Sequence, residues 1–148
     1  FKLSYCYFVI LSYDSRNMSK HLCVIDDDDI YQFTIKKLND FSGAFDRLSI
    51  FNQGDEALEF FVRNAQNPEE LPDTILLDIN MPGMNGWDFM HAFEKLGDLM
   101  KKGDIYFVTS SINDSDRDKA RKWTGNSNFL VKPITEKNLR EIGAVASL

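Results

Sequence analysis

The chain has 148 residues, of which 43% are hydrophobic and 27% are charged, and its formal net charge at pH 7 is −6. These values predict one ordinary domain with a hydrophobic core, and they exclude a disordered tail, a collagen-like chain and a disulfide scaffold. An acidic chain without a long basic run is a poor candidate for binding nucleic acid or a membrane surface. The two cysteines and two histidines cannot form a four-ligand metal site with the usual spacing.

The first 17 residues differ in character from the rest of the chain. Their apolar run, from Tyr5 to Leu11, is too short to span a bilayer, which takes about 20 residues. A signal peptide would need a more basic start and a small-residue cleavage site. Met18 then opens a regular pattern. We interpret residues 1–17 as added or upstream sequence and residues 18–148 as the domain; an extra strand or an arm on a neighbouring molecule is the alternative.

From residue 20 onward, short apolar runs alternate with segments of helical period. Strands are predicted over 22–25 and 45–51, with a helix between them. That helix is predicted from apolar residues at a period of about 3.6: Ile30, Phe33, Leu38 and Phe41. Asn52 is the predicted N-cap of the second helix. The inward positions of the second helix are predicted to be Ala57, Leu58, Phe61, Val62 and Ala65.

The second half of the chain repeats this alternation. Strands are predicted over 74–77, 105–108 and 128–131, and each runs into a polar residue. A turn-rich loop precedes the third helix. The apolar stripe of that helix is Phe89, Met90, Phe93, Leu96 and Met100. A capping box from Ser111 predicts the fourth helix. The last helix is marked by Leu139, Ile142 and Val145.

Five strands alternating with five helices predict an α/β fold, a doubly wound parallel sheet with helices on both faces. In such sheets the ligand site lies outside the carboxyl ends of the strands. The residues at those ends are Asp26, Asp27, Asp78, Thr109 and Lys132. The sequence therefore predicts that three carboxylates meet one hydroxyl and one ammonium group at one edge of the sheet.

These side chains suit a metal ion and a phosphoryl group. Two carboxylates about 4 Å apart repel each other by about 4 kcal/mol at an effective dielectric constant near 20. A hard divalent cation relieves that repulsion, and Mg²⁺ suits a few carboxylates together with waters and a phosphate. An aspartate can then attack as nucleophile while the metal and Lys132 neutralise charge on the transferred oxygens.

Four motifs lie at these strand ends: VIDDD at 24–28, ILLDINMPGMNG at 75–86, VTS at 108–110 and FLVKP at 129–133. Together they resemble the response regulator receiver domain of two-component signalling. The resemblance covers about residues 20–147. It implies a five-stranded, flavodoxin-like sheet with the strand order 2-1-3-4-5.

The resemblance also implies a role for each acidic residue of the site. Asp78 is the implied phospho-acceptor and belongs to the metal site with Asp26, Asp27 and Asn80. Asp27 is the implied direct Mg²⁺ ligand, and Asp26 acts mostly through water. Asn80 would contribute its backbone carbonyl.

Residues on the last two strands complete the implied set. The hydroxyl of Thr109 would swing toward the phosphoryl oxygens, and Lys132 would pair with the phosphoryl group. The bond to Pro133 is expected to be cis, which X-Pro bonds readily permit. Phe129 takes the position of an aromatic switch, where it can move inward but cannot donate a hydroxyl hydrogen bond.

By this resemblance the protein is a cytoplasmic signalling module and not an enzyme, beyond self-phosphorylation from a donor and autodephosphorylation. Its phosphoryl donor would be a histidine kinase or a histidine phosphotransfer protein, and its output would be contact with a downstream protein. Neither nucleic acid nor membrane is expected as a direct partner. A homodimer, the phosphoryl lifetime, the cognate kinase, the target and membership of a longer regulator are left open by the sequence.

Two other hypotheses belong to different classes of function. A phosphatase of the haloacid dehalogenase type would use a pattern like that of Asp26 and Asp28 after a strand, but it needs a further acidic pair after Lys132. A receiver-like fold that binds partners without phosphorylation is the other alternative. Asp28 and Asp29 themselves are interpreted mainly as charges at a helix N-terminus.

Overall fold

The computed structural model describes residues 19–101, 103–111, 113–124 and 128–146, without the side chains of residues 100 and 101. The segment 1–17, interpreted above as added or upstream sequence, lies outside the described residues. Within these ranges no helix combines the length and the apolar character that crossing a membrane requires.

The fold is a parallel sheet of five strands with helices on both faces, in the strand order β2-β1-β3-β4-β5. The strands are β1 His21–Ile25, β2 Arg47–Phe51, β3 Thr74–Asp78, β4 Asp104–Thr109 and β5 Phe129–Val131. The α-helices of the described residues are α1 Asp29–Ser42, α2 Gly54–Arg63, α3 Gly86–Glu94, α4 Asp114–Thr124 and α5 Glu136–Val145. Short 3-10 helices lie at Pro68–Glu70 and Gly97–Lys101. The predicted fold class and strand order are confirmed.

Each face of the sheet carries its own apolar layer, because successive residues of a strand point to opposite sides. The layer shared with α2, α3 and α4 buries the strand residues Cys23, Ile25, Ile75, Leu77, Ile105 and Phe107. The layer shared with α1 and α5 buries Leu22, Val24, Leu76, Tyr106 and Val108. Strands covered on both faces read as continuous apolar runs, which is why the sequence marks them clearly.

Helix α1 is present as predicted, but of the four residues that the apolar period marked only Leu38 packs partly against the core. Ile30, Phe33 and Phe41 are 79%, 60% and 77% exposed. The buried residues of α1 are Tyr31, Ile35, Asn39 and Ser42. Asn39 explains this orientation, because its side-chain amide donates to the carbonyl of Phe45 and accepts from the amide of Phe45, both at 3.0 Å. A polar residue therefore faces the sheet while an aromatic stripe faces solvent.

Two predicted helix caps were wrong by one or two residues. The N-cap of α2 is Gln53 rather than Asn52, and its side chain makes no capping hydrogen bond. At the start of α4, the side chain of Asn113 accepts from the amide of Ser115 at 3.0 Å, which gives Asn113 the capping role predicted for Ser111. In both places neighbouring polar residues compete for the same position, so the pattern alone does not choose between them.

Several predicted inward positions also differ. Val62 and Ala65 are exposed, and Ala65 lies beyond the end of α2. Val145, which marks the last helix in the sequence, is the final residue of α5 and is exposed. Helix α3 ends before Gly97, whose φ of 64° interrupts the helix. The predicted stripe that ended at Met100 therefore does not belong to one continuous helix.

Both tryptophans of the chain lie on the face covered by α3 and α4. Trp87 is half-buried, and its ring centroid lies 4.9 Å from that of Phe107 on β4. Trp123 is half-buried and meets the ring of His91 edge-on at 5.2 Å. The two indoles cover the outer side of the apolar layer between these helices.

The loop between β3 and α3 packs tightly against the end of the central strand. Asn85 caps α3 in a capping box with Asp88. The amide of Gly86 donates to the carbonyl of Ile79 at 3.0 Å. A Cβ atom added to Gly86 would lie 2.5 Å from the carbonyl oxygen of Asp78 and 2.9 Å from Cα of Ile79. Glycine is therefore required where α3 begins.

We expect Gly86→Ala to lower the free energy of unfolding by about 1–3 kcal/mol or more, because the new methyl group meets backbone atoms that cannot move aside. Gly54→Ala is the matched control at the start of another helix, since its Cβ would meet the flexible side chain of Met84 at 3.0 Å. Urea unfolding of both variants provides the measurement. Equal losses of stability would contradict the packing argument.

The orientation of α1 is tested by a second pair of substitutions. Phe33→Gln is expected to change the free energy of unfolding by less than about 0.5 kcal/mol, because the ring is mostly in solvent. Ile35→Ala is expected to lower it by about 2–4 kcal/mol, because the side chain is fully buried. If chemical denaturation gave the reverse ranking, the helix would have to be rotated.

Candidate functional site at the carboxyl edge of the sheet

The residues predicted at the strand ends all lie at one edge of the sheet. Asp26 and Asp27 follow β1, Asp78 ends β3, Thr109 ends β4 and Lys132 follows β5. Parallel pairing of β3 with both β1 and β4 brings these ends side by side. The structure thus brings together the whole set that the sequence singled out.

Backbone hydrogen bonds divide the acidic run after β1 into two parts. The Oδ1 atom of Asp26 accepts from the amide of Asp28 at 3.0 Å, which orients the Asp26 carboxylate at the strand end. Asp28 is the N-cap of α1 and accepts from the amides of Ile30 and Tyr31 at 2.9 and 3.1 Å. Asp29 lies in the first turn of the helix. The interpretation of Asp28 and Asp29 as N-terminal helix charges is confirmed.

Three carboxylates and one ammonium group form the centre of the site. One oxygen from each of Asp26, Asp27 and Asp78 lies within 4.8 Å of the others. Asp26 and Asp78 are 1% and 5% exposed, whereas Asp27 is exposed. The Nζ atom of Lys132 lies 2.6 Å from Oδ2 of Asp26 and 3.5 Å from Oδ1 of Asp78. The lysine therefore links the two buried carboxylates and lies closer to Asp26.

The buried carboxylates remain short of compensating positive charge. Burial, and then repulsion from Asp26, raises the pKa of Asp78 from 3.8 to about 6, although Lys132 and the amide of Asn80 oppose the change. Burial also raises the pKa of Asp26, against hydrogen bonds from Lys132 and the amide of Asp28. A divalent cation would favour the ionised form of both groups. Clustered carboxylate oxygens are the ligands that Mg²⁺ prefers, so these residues fit that metal.

Thr109 is fully buried and its hydroxyl oxygen accepts two hydrogen bonds. One comes from Nδ2 of Asn80 at 3.2 Å and the other from the amide of Ser111 at 3.1 Å. The role predicted for Asn80 in the metal site used its backbone carbonyl, and this contact of its side chain was not predicted. The two residues are 29 positions apart in the sequence. The one available signal was that Asn80 lies two residues after the end of β3 and Thr109 lies at the end of the neighbouring strand β4.

Strand β5 and the two residues after it supply the remaining predicted residues. The peptide bond between Lys132 and Pro133 is cis, as expected. Phe129 begins β5, pairs in register with Phe107 and is half-buried. The guanidinium group of Arg117 lies 5.2 Å from the centroid of its ring. The switch role of Phe129 stays a prediction.

Tyr31 contacts the site and was not predicted. The centroid of its ring lies 4.3 Å from Nζ of Lys132. The apolar period of α1 emphasised Ile30 and Phe33 and passed over this residue. No pattern along α1 could have identified it, because its partner, Lys132, lies on a distant part of the chain.

Comparisons with known proteins point to one family. A model of the response regulator receiver domain matches residues 22–143. The two-component response regulator ORR1 of Oryza sativa subsp. japonica is 28% identical over 101 residues, which cover 68% of this chain and 42% of that protein. The hybrid signal transduction histidine kinase I of Dictyostelium discoideum is 30% identical over 130 residues, which cover 86% of this chain and 7% of that protein. The chain thus spans less than half the length of these curated relatives.

The fold has a close counterpart among solved structures. A two-component response regulator from Cytophaga hutchinsonii superposes on this chain with a TM-score of 0.76 at 24% sequence identity. The match covers 88% of this chain and 98% of the other. At this level of sequence identity, the similarity shows the fold alone.

The raised pKa of Asp78 predicts a pH-dependent stability in the absence of divalent cations. Between pH 4 and pH 6, roughly, the folded chain holds a proton at Asp78 that the unfolded chain has lost, so stability falls as pH rises through this window. Asp78→Asn should therefore raise the free energy of unfolding by about 1–3 kcal/mol at pH 7.5 and by much less at pH 4.

Urea unfolding in a chelating buffer at the two pH values measures this difference. Asp40→Asn is the control, because Asp40 is an exposed acid on α1. Its effect on the free energy of unfolding should be less than about 0.5 kcal/mol at either pH, because the side chain is exposed. A gain for Asp78→Asn that does not change with pH would contradict the assigned pKa shift.

Proposed function

This chain belongs to the response regulator receiver domain family of two-component signalling, and on that premise we propose that Asp78 accepts a phosphoryl group in the presence of Mg²⁺. The observation that carries the proposal is the set of three carboxylates within 4.8 Å of one another, two of them linked by Lys132. The family is a signalling domain rather than an ordinary enzyme. The chemistry proposed is accordingly limited to taking a phosphoryl group from a donor and losing it to water.

The metal is assigned to the acidic residues of the site. Asp27, Asp78 and the backbone carbonyl of Asn80 would hold Mg²⁺ directly, and Asp26 would act mostly through water. When bound, the metal supplies positive charge next to the transferred oxygens. Its field would also favour the ionised form of Asp78, which the reaction requires because the carboxylate is the nucleophile.

The phosphoryl transfer itself needs little beyond position and charge. One carboxylate oxygen of Asp78 forms a bond to phosphorus while the bond to the donor's leaving group breaks, and that group keeps the bonding electrons. Lys132, whose ammonium group lies 3.5 Å from Asp78, then pairs with the phosphoryl oxygens. The donor is proposed to be a histidine kinase or a histidine phosphotransfer protein.

Thr109 and Phe129 are proposed to transmit the state of Asp78. The hydroxyl of Thr109 would turn toward the phosphoryl oxygens, exchanging its hydrogen bonds with Asn80 and the Ser111 amide for a bond that it donates. Phe129, which is half-buried on β5, would follow inward. The surface of α4, β5 and α5 would change as a result.

The output of this change is proposed to be contact with a downstream protein in the cytoplasm, with homodimerisation through the same surface as an open outcome. The family match argues against the phosphatase hypothesis, since the acidic residues of the site come from β1 and β3 and precede Lys132. A receiver domain that works without phosphorylation would leave the same carboxylates in place. Only a direct test of phosphorylation separates it from the proposal.

We expect the intact protein to gain about 80 Da when it is incubated with acetyl phosphate and Mg²⁺. The gain should require the metal, be removed by hydroxylamine and be absent in Asp78→Asn. Asp40→Asn, an exposed acid on α1, is the matched control and should be modified like the wild type. Intact-mass spectrometry is the measurement.

An adduct that persists in Asp78→Asn would contradict the assignment of the acceptor. If the wild type gains no mass, beryllofluoride binding in the presence of Mg²⁺ distinguishes fast hydrolysis from a site that takes no phosphoryl group. Failure of both measurements would contradict the proposed function and favour constitutive binding.

A further inference from the structure

Tyr31 supplies the third side of the environment of Lys132. Two sides are carboxylates: Oδ2 of Asp26 at 2.6 Å and Oδ1 of Asp78 at 3.5 Å. The third is the face of the Tyr31 ring, whose centroid lies 4.3 Å from Nζ. This distance lies well within the range of a cation–π interaction, which strengthens when the cation is removed from water. The side chain of Lys132 is 14% exposed.

The position of Tyr31 is fixed by the same acidic run that forms the site. Its backbone amide donates to Oδ1 of the N-cap, Asp28, at 3.1 Å. Tyr31 as a whole is 7% exposed and packs in the apolar layer that α1 and α5 share with the sheet. The turn that orients Asp26 thus also places an aromatic face over the lysine.

The ring presents a neutral face rather than a competing charge. Burial, and then the carboxylates of Asp26 and Asp78, raises the pKa of Tyr31, so the phenol keeps its proton. Its hydroxyl group is buried and makes no hydrogen bond with the described residues. The contact with Lys132 therefore comes from the ring.

The proposed reaction requires Lys132 to exchange one partner for another. In the unphosphorylated chain the ammonium group lies closer to Asp26, but Asp26 belongs to the proposed metal site and the phosphoryl group arrives on Asp78. A carboxylate attracts an ammonium group to one narrow position. An aromatic face attracts it over a wider area, because the negative potential is spread across the ring.

We propose that Tyr31 is a positioning residue for Lys132, holding its ammonium group in the site while that group moves from Asp26 to the phosphoryl group on Asp78. The movement rests on the proposed function. The contact between ring and lysine belongs to the unphosphorylated chain and can be tested separately.

The first test compares the phosphorylation rates of Tyr31→Phe and Tyr31→Leu with acetyl phosphate and Mg²⁺. Tyr31→Phe keeps the ring and should react within about two-fold of the wild type, whereas Tyr31→Leu should react about 2- to 30-fold more slowly. Phe33→Leu is the matched control, because it removes an exposed ring that lies 5.4 Å from Lys37 on the same helix. It should leave the rate unchanged. A loss of the same size in Tyr31→Phe would overturn the proposal.

The second test asks whether Tyr31 acts through Lys132. In a Lys132→Met background, Tyr31→Leu should cause no further loss of phosphorylation rate, because the group that the ring positions is gone. Beryllofluoride affinity provides the same comparison if the rates become too slow to measure. An equal fold-loss in both backgrounds would indicate a merely structural role and overturn the proposal.

The third test requires no phosphoryl donor. The Cε protons of Lys132 adjoin the ammonium group that lies over the ring, so they should resonate upfield of the usual lysine position in the unphosphorylated wild type and in Tyr31→Phe. The shift should disappear in Tyr31→Leu. Its absence from the wild type would overturn the inference even if Asp78 is phosphorylated. Its presence in a wild type that takes neither a phosphoryl group nor beryllofluoride would overturn the proposed function while supporting the contact.

Discussion

Repulsion between carboxylates that the sheet holds together is the constraint on which the rest of the site depends. β1 and β3 are neighbours, so their ends carry Asp26 and Asp78 into one buried region whatever the charge state. Lys132 alone does not restore the ordinary pKa of either group. A site with this excess of negative charge responds strongly to added positive charge and to added phosphate. Either one changes the electrostatic repulsion energy, which the fold cannot relieve by moving the strands apart.

The fold and the centre of the site could be predicted because they depend on local and repetitive features. Strands buried on both faces are marked by unbroken apolar runs. The rule that ligands bind outside the carboxyl ends of parallel strands then predicts which residues form the site. Asp78, Thr109 and Lys132 were therefore found without any knowledge of distances. The strand order 2-1-3-4-5 came from the family resemblance instead, since alternation of elements does not by itself order a sheet.

The features that the sequence missed depend on contacts between distant parts of the chain. Helix α1 offers two stripes, and the paired hydrogen bonds between Asn39 and the backbone of Phe45 favour the less apolar one. The same rotation that leaves Phe33 in solvent brings Tyr31 over Lys132, which lies about a hundred residues later in the chain. A periodicity analysis measures the spacing along one helix and contains no information about either partner.

The placement of the two tryptophans has an optical consequence. Trp87 lies against Phe107, two residues before Thr109 on β4, and Trp123 lies on α4 beside His91. No other tryptophan occurs in the chain. Tryptophan fluorescence, excited at the red edge of the protein absorption spectrum, therefore reports on this one face of the sheet. Changes at α1 and α5 affect the emission only through the sheet. The molecule carries a built-in fluorophore pair on the side of the sheet where β4 meets α3 and α4.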